Sequence, residues 1–547
     1  MLQPRPLRVG IDTGGTFTDC VFLRAGRLQI LKVFSTPRQP ADAIEKALAE
    51  ILAAEHVPGT LELSHGTTVG TNSLLERKGA RIALVTTAGF EDVLVIGRQA
   101  RPRLYDFFVT LPPLLVPASR RLGVVERIGA GGRVVQALTP VEVQRVVARV
   151  KRSRPQAVAV CLLFSFANPD YERRLTRSLR RAGLLVSAAH EIHPEFREYE
   201  RTATVAANAY LVPVLGRYLE ELDRRLARPT PKVRGSGRGL PTLSVVHPRQ
   251  NTPIRVMQSS GGTISARVAA AQPVRTILSG PAGGVVGARY VAELAGYDRL
   301  ISFDMGGTST DVALIDGALQ TTNEGSLAGL PLAVPMLDIH SVGAGGGSIA
   351  WFDRGGALRV GPQSAGADPG PICYGKGTEP TVTDAHLILG RLDPKQFLGG
   401  TWLLDAPRTR IWMEKAVAAR AISSVEEFAA GILAVANATM EKAIRVISVE
   451  RGYDPRRFTL VAFGGAGGLH ACALAAALGI PRVLVPKFPG ALSALGILRS
   501  DVVKDYVRTL LLPVADEVRL RKLLERHFAE LAVSYTHLRA HETVLDL

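Results

Sequence analysis

Cysteine is scarce: the four in this chain, Cys20, Cys161, Cys373 and Cys472, stand far apart and never in a CxxC spacing. Such a set builds neither a disulfide framework nor a zinc site, and suits buried free thiols in a reducing compartment. Long apolar runs are also missing. The longest, AVAVCLLFSFA near residue 160, falls short of the ~20 residues that a bilayer-spanning helix takes. The opening MLQPRPLRVG lacks the hydrophobic core of a signal peptide. The expectation is a cytoplasmic protein with no membrane partner. Aromatic residues make up only 6% of the chain, and none interleave with basic runs such as KRSRPQ and RRLTRSLRRAG. Without stacking platforms, the formal charge of +17 points away from nucleic acid and toward an arginine-rich solvated surface or a face for an acidic subunit.

What is present is a globular composition, 46% hydrophobic and 21% charged, over 547 residues. At roughly 150 residues per domain this suggests three or four units. One pattern occurs twice. GIDTGGTFTDCVF (10 to 22) and SFDMGGTSTDVAL (302 to 314) repeat Asp12, Gly14, Gly15, Thr16, Thr18 and Asp19 as Asp304, Gly306, Gly307, Thr308, Thr310 and Asp311. Each lies in a predicted three-strand meander with short Gly-containing turns: LRVGIDT, FTDCVFL and RLQILKVFS in the first, and RLISFDM, DVALID and ALQTTNEG in the second. Helical periodicity in ADAIEKALAEILAAE and at 425 to 450, between short apolar strands, indicates an α/β fold with a mixed sheet covered by helices.

The expected division is an N-terminal subdomain with an insertion at 1–227, a basic Pro/Gly loop at 228–253 and a second subdomain at 254–505. A further domain begins at 506–533, and 534–547 reads as a non-native tail, since SYTHLRAHETVLDL breaks the helical pattern before it. GAGGGS and SAGADPGPICYGKG, between 343 and 380, concentrate glycine where a backbone must approach a ligand or another chain closely.

A strand, a Gly-Gly turn and a returning strand gather backbone N–H groups in a concave patch that suits phosphate oxygens. Gly14, Gly15, Gly306 and Gly307 leave room for that approach, and Thr16, Thr18, Thr308 and Thr310 add hydroxyl donors. Asp12 and Asp304 can hold a hydrated Mg2+, and with Asp311 they are the candidate catalytic carboxylates; Asp19 is a further base. Two such turns facing one gap would grip a polyphosphate from both sides. FGGAGGLHA ends a strand and opens a helix, and its Gly464, Gly465, Gly467 and Gly468 permit flat approach of a nucleobase or ribose.

These three elements resemble the actin, sugar kinase and heat-shock chaperone ATPase superfamily. The resemblance implies two duplicated RNase H-like subdomains around a nucleotide cleft, with ATP and Mg2+ as cofactors. GIDTGGTFTD, SHGTTVGTNSLLERKGARIALVTTAGFEDVL, EYERTATVAANAY, MQSSGG, SGPAGGVVGA, FDMGGTSTDVALI, DIHSVGAGGGSIAW, GPQSAGADPGPICYG, PTVTDAHLILGRL and FGGAGGLHA are similar to the hydantoinase A / 5-oxoprolinase family, which includes the β subunit of acetone carboxylase. That implies an ATP-dependent hydrolase opening a hydantoin, 5-oxoproline or related lactam, with a B-type subunit in a hetero-oligomer. The alternatives are the β subunit of an ATP-dependent ketone carboxylase and, in another class, a non-enzymatic actin-like nucleotide switch. A ring amide is a poor electrophile, and passing a phosphoryl group to its oxygen would make it open to water.

Candidates to face the cyclic amide or ketone substrate are His65, Thr67, Thr68 and Asn72, which precede or open a helix, Arg98, which suits a carboxylate or phosphate, and Asp338 and His340. An additional divalent metal, zinc or manganese, would use Asp338, His340 and Asp384, with His386 or His470 as other third ligands. Glu198, Glu200 and Arg201 read as helix-start charges.

Overall fold

The computed structural model describes residues 6–543 except 16, 25, 37–38, 54–60, 101–104, 106–107, 109–112, 227–252, 419–422, 508 and 511–516. Apart from Pro253, the basic loop expected at 228–253 lies outside the described residues. The chain forms two compact units. The larger comprises residues 1–78, 214–325 and 334–503, and the other comprises 79–213, 326–333 and 504–547.

The larger unit holds two sheets built alike. In the first, Leu7–Thr13 pairs antiparallel with Phe17–Arg24, which pairs antiparallel with Arg27–Phe34; on its other side Leu7–Thr13 runs parallel to Leu61–Thr67. In the second, Arg299–Met305 pairs antiparallel with Thr310–Asp316 and parallel with Thr459–Phe463. The central strands are buried on both faces, which is why they read as nearly continuous apolar runs. The duplication seen in sequence is thus a duplication of topology. It departs from the expectation at one strand. ALQTTNEG contributes only Ala318–Leu319 to the edge, and Ile339–Val342 pairs with the rest of Thr310–Asp316. Thr321–Thr322 pairs instead with Met336–Leu337 in a separate ribbon; the polar stretch has no apolar face to bury against the sheet.

Helix Pro40–Ala53 buries Ala43, Ile44, Ala47, Leu48 and Ile51 against the first sheet, and helix Val425–Ile447 covers the second with Phe428, Ile432, Ala436 and Met440. SGPAGGVVGA lies in helix Ser279–Leu294, which crosses helix Leu492–Arg499 at close range. A Cβ on Gly287 would stand 2.4 Å from the Leu492 carbonyl oxygen, and one on Gly496 only 1.8 Å from that of Gly283. Those glycines are there so that two backbones can touch.

The second unit has a four-stranded parallel sheet in the order Val186–Ala188, Ala157–Cys161, Ile82–Thr87, Arg121–Val124. Helices Pro140–Arg152 and Asp170–Arg181 pack their apolar sides, Val143, Val146 and Val150, and Leu175 and Leu179, into its core. Thr139 caps the first of these by accepting from the Glu142 N–H, with Pro140 at the first helical position. Toward the end of the chain a helix spans Glu517–Thr543 without the break expected at Ser534, and SYTHLRAHET holds no glycine or proline to impose one. No described helix is long and apolar enough to cross a membrane. The four cysteines are free, three of them buried, but Cys472 is exposed.

Candidate active site

The two repeated turns share strand register and turn hydrogen bond. Asp12 sits opposite Asp19 and Thr13 opposite Thr18; Asp304 sits opposite Asp311 and Met305 opposite Thr310. The Gly14 N–H donates to the Phe17 carbonyl at 3.0 Å, and the Gly306 N–H to the Ser309 carbonyl at 3.1 Å. Gly15 and Gly307 are exposed at the tips, and a Cβ on either would meet no atom within 4 Å. None of these four glycines adopts a positive φ. Backbone conformation therefore does not demand glycine there, and the empty space in front of each tip remains as the reason.

The threonines divide into two kinds. Thr308 is exposed beside Gly307, and Thr16 lies outside the described residues. Thr18 and Thr310 are fully buried. Thr18 Oγ1 shares a 3.0 Å hydrogen bond with Ser35 Oγ, which donates to the Gly14 carbonyl at 2.7 Å. Thr310 Oγ1 donates to the Ala344 carbonyl. The expectation that they are phosphate donors is corrected: each points into its sheet and braces its turn from behind, because alternation along a strand sends it to the face opposite the aspartates.

GAGGGS provides the rest of the second brace. The Gly346 N–H donates to the Gly306 carbonyl at 3.0 Å and the Gly347 N–H to the Gly307 carbonyl at 2.7 Å. A Cβ on Gly345 would stand 2.6 Å from Gly307 C and Thr308 N. The close backbone approach read from sequence is thus to the second turn itself.

The aspartates are the electrostatic centre. Burial, with Asp19 adding and Lys32 opposing, pushes the Asp12 carboxyl up to about 7. Asp304 is raised well above the usual carboxylate range by burial first, then by Asp311, Asp12 and Asp19. The charges of the first turn thus act on the carboxylate of the second, so both turns address one region. Asp311 is pushed up to about 6 by burial, against a hydrogen bond from Ser341 Oγ. Asp19 is raised by burial while Lys32 pairs with it. Asp12 Oδ1 is buried with no hydrogen-bond partner, close to Gly66 and to Gly280 at the start of helix Ser279–Leu294. Crowded carboxylates at odds with their own charge, an unpartnered carboxylate oxygen, and two open Gly tips fit a hard, oxygen-preferring cation with a phosphate chain.

Other predicted residues fall differently. Gly464 leaves room for Asp304, whose Oδ1 would be 2.3 Å from a Cβ there, and Gly467 packs on the Phe303 carbonyl; Gly465 and Gly468 face open space. Of the four, only the last two are free to receive a base or ribose. His65 is fully buried in the middle of the first sheet, with Nε2 and Tyr218 Oη 2.7 Å apart, and burial lowers it to about 4. It is a neutral core histidine, which corrects its reading as a substrate contact. Thr67 is buried, its backbone N–H donating to Ser279 Oγ at 3.0 Å. Thr68 Oγ1 donates to the Thr13 carbonyl at 3.1 Å, and Asn72 is exposed on helix Val69–Leu75. Arg98 belongs to the second unit, where it pairs with Glu200 at 2.7 Å.

The additional metal site is not assembled. Asp338 pairs with Arg451, and His340 lies in the edge strand opposite Val312. Asp384 is consumed as a helix cap, accepting from the backbone N–H groups of Ile372, Cys373 and Thr381 at 2.9 to 3.1 Å. His386 and His470 are buried against each other, Nε2 to Nε2 at 2.9 Å. Among the described residues, no group of three or more His, Cys, Asp or Glu can hold a metal ion. Sequence reasoning missed Lys32, Ser35, Gly66 and Gly280. Their partners come from other strands and helices; Gly66 and Gly280 lie inside family-like segments, but nothing local to those segments shows that they face Asp12.

Comparison with known proteins bears on what this arrangement serves. The Hydantoinase/oxoprolinase family model matches residues 201–506, and that of the Hydantoinase/oxoprolinase N-terminal region matches 8–183. The chain is 38% identical to caprolactamase subunit alpha of Pseudomonas jessenii, covering 94% of this chain and 73% of that one. It is 36% identical to 5-oxoprolinase 1 of Arabidopsis thaliana, covering 91% of this chain but 42% of the relative. Among solved structures, the ATP-dependent caprolactamase from Pseudomonas jessenii superposes with a TM-score of 0.81 at 35% identity, over 96% of this chain and 76% of that one. A nucleotide-free acetone carboxylase does so at 0.73 and 30%, over 91% and 71%.

Proposed function

This chain belongs to the hydantoinase/oxoprolinase family, and we propose that it is the nucleotide-handling subunit of an ATP-dependent hydrolase that opens a cyclic amide. The observation that carries the reading is the pair of Gly-Gly turns whose tips have no atom within 4 Å of a Cβ position, while the carboxylates of the first turn raise buried Asp304 of the second. ATP with Mg2+ would supply the phosphoryl group that makes an amide carbonyl electrophilic. The N–H groups around Gly15 and Gly307 would hold phosphate oxygens, and Gly465 and Gly468 would leave a flat wall for the adenosine. Asp12 and Asp304 would hold the cation through water, and with the cation present both would ionise. Asp311, raised to about 6, is suited to take a proton from an attacking group near neutral pH.

A lactam is favoured over a ketone because the caprolactamase likeness exceeds the acetone carboxylase likeness in both identity and superposition. The 5-oxoprolinase relative extends well beyond the matched region, whereas this chain spans about three quarters of caprolactamase subunit alpha. The relative's name, a subunit alpha, supports a separate B-type subunit in a hetero-oligomer, and the three buried free thiols suit a reducing cytoplasm. The test is ADP release with a panel of hydantoins, 5-oxoproline and larger lactams, with the B-type subunit added. Stimulation by one ring class is expected. No stimulation by any ring refutes the hydrolase reading, and ketone consumption that requires bicarbonate replaces it with the carboxylase.

A further inference from the structure

In the second unit a buried cation stands without a full counter-charge. Arg201, in the first turn of helix Glu198–Leu226, has a side chain that is 0% exposed. Its Nη2 donates to the Leu162 carbonyl at 2.9 Å and lies 3.4 Å from Glu198 Oε1, on a carboxylate open to solvent. Its guanidinium carbon lies 5.1 Å from the Phe166 ring centroid. Nε and Nη1 are buried with no hydrogen-bond partner. A cation in the first helical turn also opposes the helix dipole. Buried charge with unused donors is costly unless something supplies the missing acceptor.

The same guanidinium lines a small pocket with room for about one water-sized group. Phe90, Val93 and Leu163 form its apolar wall, while Thr86, Cys161, Thr202 and the Glu198 carboxylate, which the Arg201 charge must also offset, are its further polar residues. Thr202 Oγ1 donates to Cys161 Sγ at 3.2 Å; burial raises the Cys161 thiol, and the opposing charge and hydrogen bond of Arg201 do not reverse the shift, so the sulfur stays neutral and does not serve as the counter-ion.

Topology gives an independent reason to look here. The strands run in chain order Ile82–Thr87, Arg121–Val124, Ala157–Cys161, Val186–Ala188, but Arg121–Val124 and Ala157–Cys161 flank Ile82–Thr87 on opposite sides. The chain therefore reverses its winding direction between Ile82–Thr87 and Ala157–Cys161. Thr86 and Cys161 are register partners at the carboxyl ends of those two strands, where open parallel sheets bind ligands.

We propose that this pocket binds one oxygen of a small carboxylate-type monoanion, either a carboxylate on the substrate or bicarbonate, with Arg201 as its counter-charge. The pocket takes that one oxygen alone, and the remainder of the acid lies outside it. The inference stands on the geometry of this unit and not on the nucleotide reading, so either can fail without the other.

The test is calorimetric and thermal-shift titration of the full chain with formate, acetate, bicarbonate and 5-oxoproline at constant ionic strength. Chloride and caprolactam, which has no carboxylate, serve as comparators. Saturable binding of at least one carboxylate-type anion is expected, without binding of caprolactam. Affinity should fall at least tenfold in Arg201→Gln and in Val93→Phe, which fills the pocket while leaving the guanidinium in place. Acetate and 5-oxoproline binding without bicarbonate assigns the site to a substrate carboxylate, and bicarbonate alone assigns it to inorganic carbon. Absence of saturable binding, equal affinity for chloride, or unchanged affinity in Val93→Phe overturns the proposal; should Arg201→Gln fail to fold, Val93→Phe decides alone.

Discussion

Replacing Gly15 or Gly307 by alanine separates a glycine kept for a ligand from one kept for the fold. At both positions the added methyl group meets no atom within 4 Å, and neither residue adopts a positive φ. The folded chain therefore pays nothing for the methyl group, while the unfolded chain loses freedom. Gly15→Ala and Gly307→Ala should leave stability unchanged or raise it by up to about 1 kcal/mol. A phosphate oxygen seated on either turn would occupy the space the methyl group takes. Nucleotide affinity should then fall by one to two orders of magnitude, about 1.4 to 3 kcal/mol. Gly345→Ala gives the opposite pattern. Its methyl group would stand 2.6 Å from Gly307 C and Thr308 N, backbone atoms that cannot rotate away, so overpacking should cost about 1 to 3 kcal/mol of stability. Urea unfolding and calorimetric titration with ADP and Mg2+ measure the two axes separately. Full-strength nucleotide binding by the Gly15→Ala and Gly307→Ala double variant would refute the phosphate cradle.

Thr310→Val leaves the Ala344 carbonyl without its hydroxyl donor and should cost about 1 to 3 kcal/mol of stability, with a smaller loss of nucleotide affinity than Gly307→Ala; a larger loss would mean the hydroxyl contacts the ligand after all. Asp384→Ala removes the acceptor for three buried backbone N–H groups and should destabilise by about 3 kcal/mol. The metal content of the purified protein should not change, and a drop seen by elemental analysis would reinstate Asp384 as a ligand. His65, held near 4 against an ordinary 6.5, protonates first in the unfolded chain as pH falls. Its contribution is complete above pH 6.5 and is lost toward pH 4, about 3 kcal/mol over that window. His65→Gln should flatten the fall in urea stability between pH 7 and 4, and an unchanged slope would place the buried proton elsewhere.

The geometry of the two turns was legible because it is local. An Asp-Gly-Gly-Thr turn between two apolar strands carries its geometry within about ten residues, and its recurrence in a matched context exposes the duplication. The readings that failed concern side chains whose surroundings come from afar. Thr18 and Thr310 lie inside the motif, yet their hydroxyls turn away from it because strand alternation puts them on the other face. His65 reads as a polar residue opening a helix, but Ile11 on one side and Val256 on the other make its strand central. Arg201 reads as a helix-start charge, although the strand ends around it leave it fully buried.

Local chemistry by itself determined the two turns, the α/β class, the duplicated halves and the family, since hydrogen-bonded turns and apolar periodicity are properties of short segments. Tertiary structure alone decided which carboxylates share a field, which glycines face space and which face a backbone, and where a buried guanidinium is left short of acceptors. Those depend on distances between residues hundreds of positions apart, and burial and Coulomb energy are set by such distances, not by neighbours along the chain.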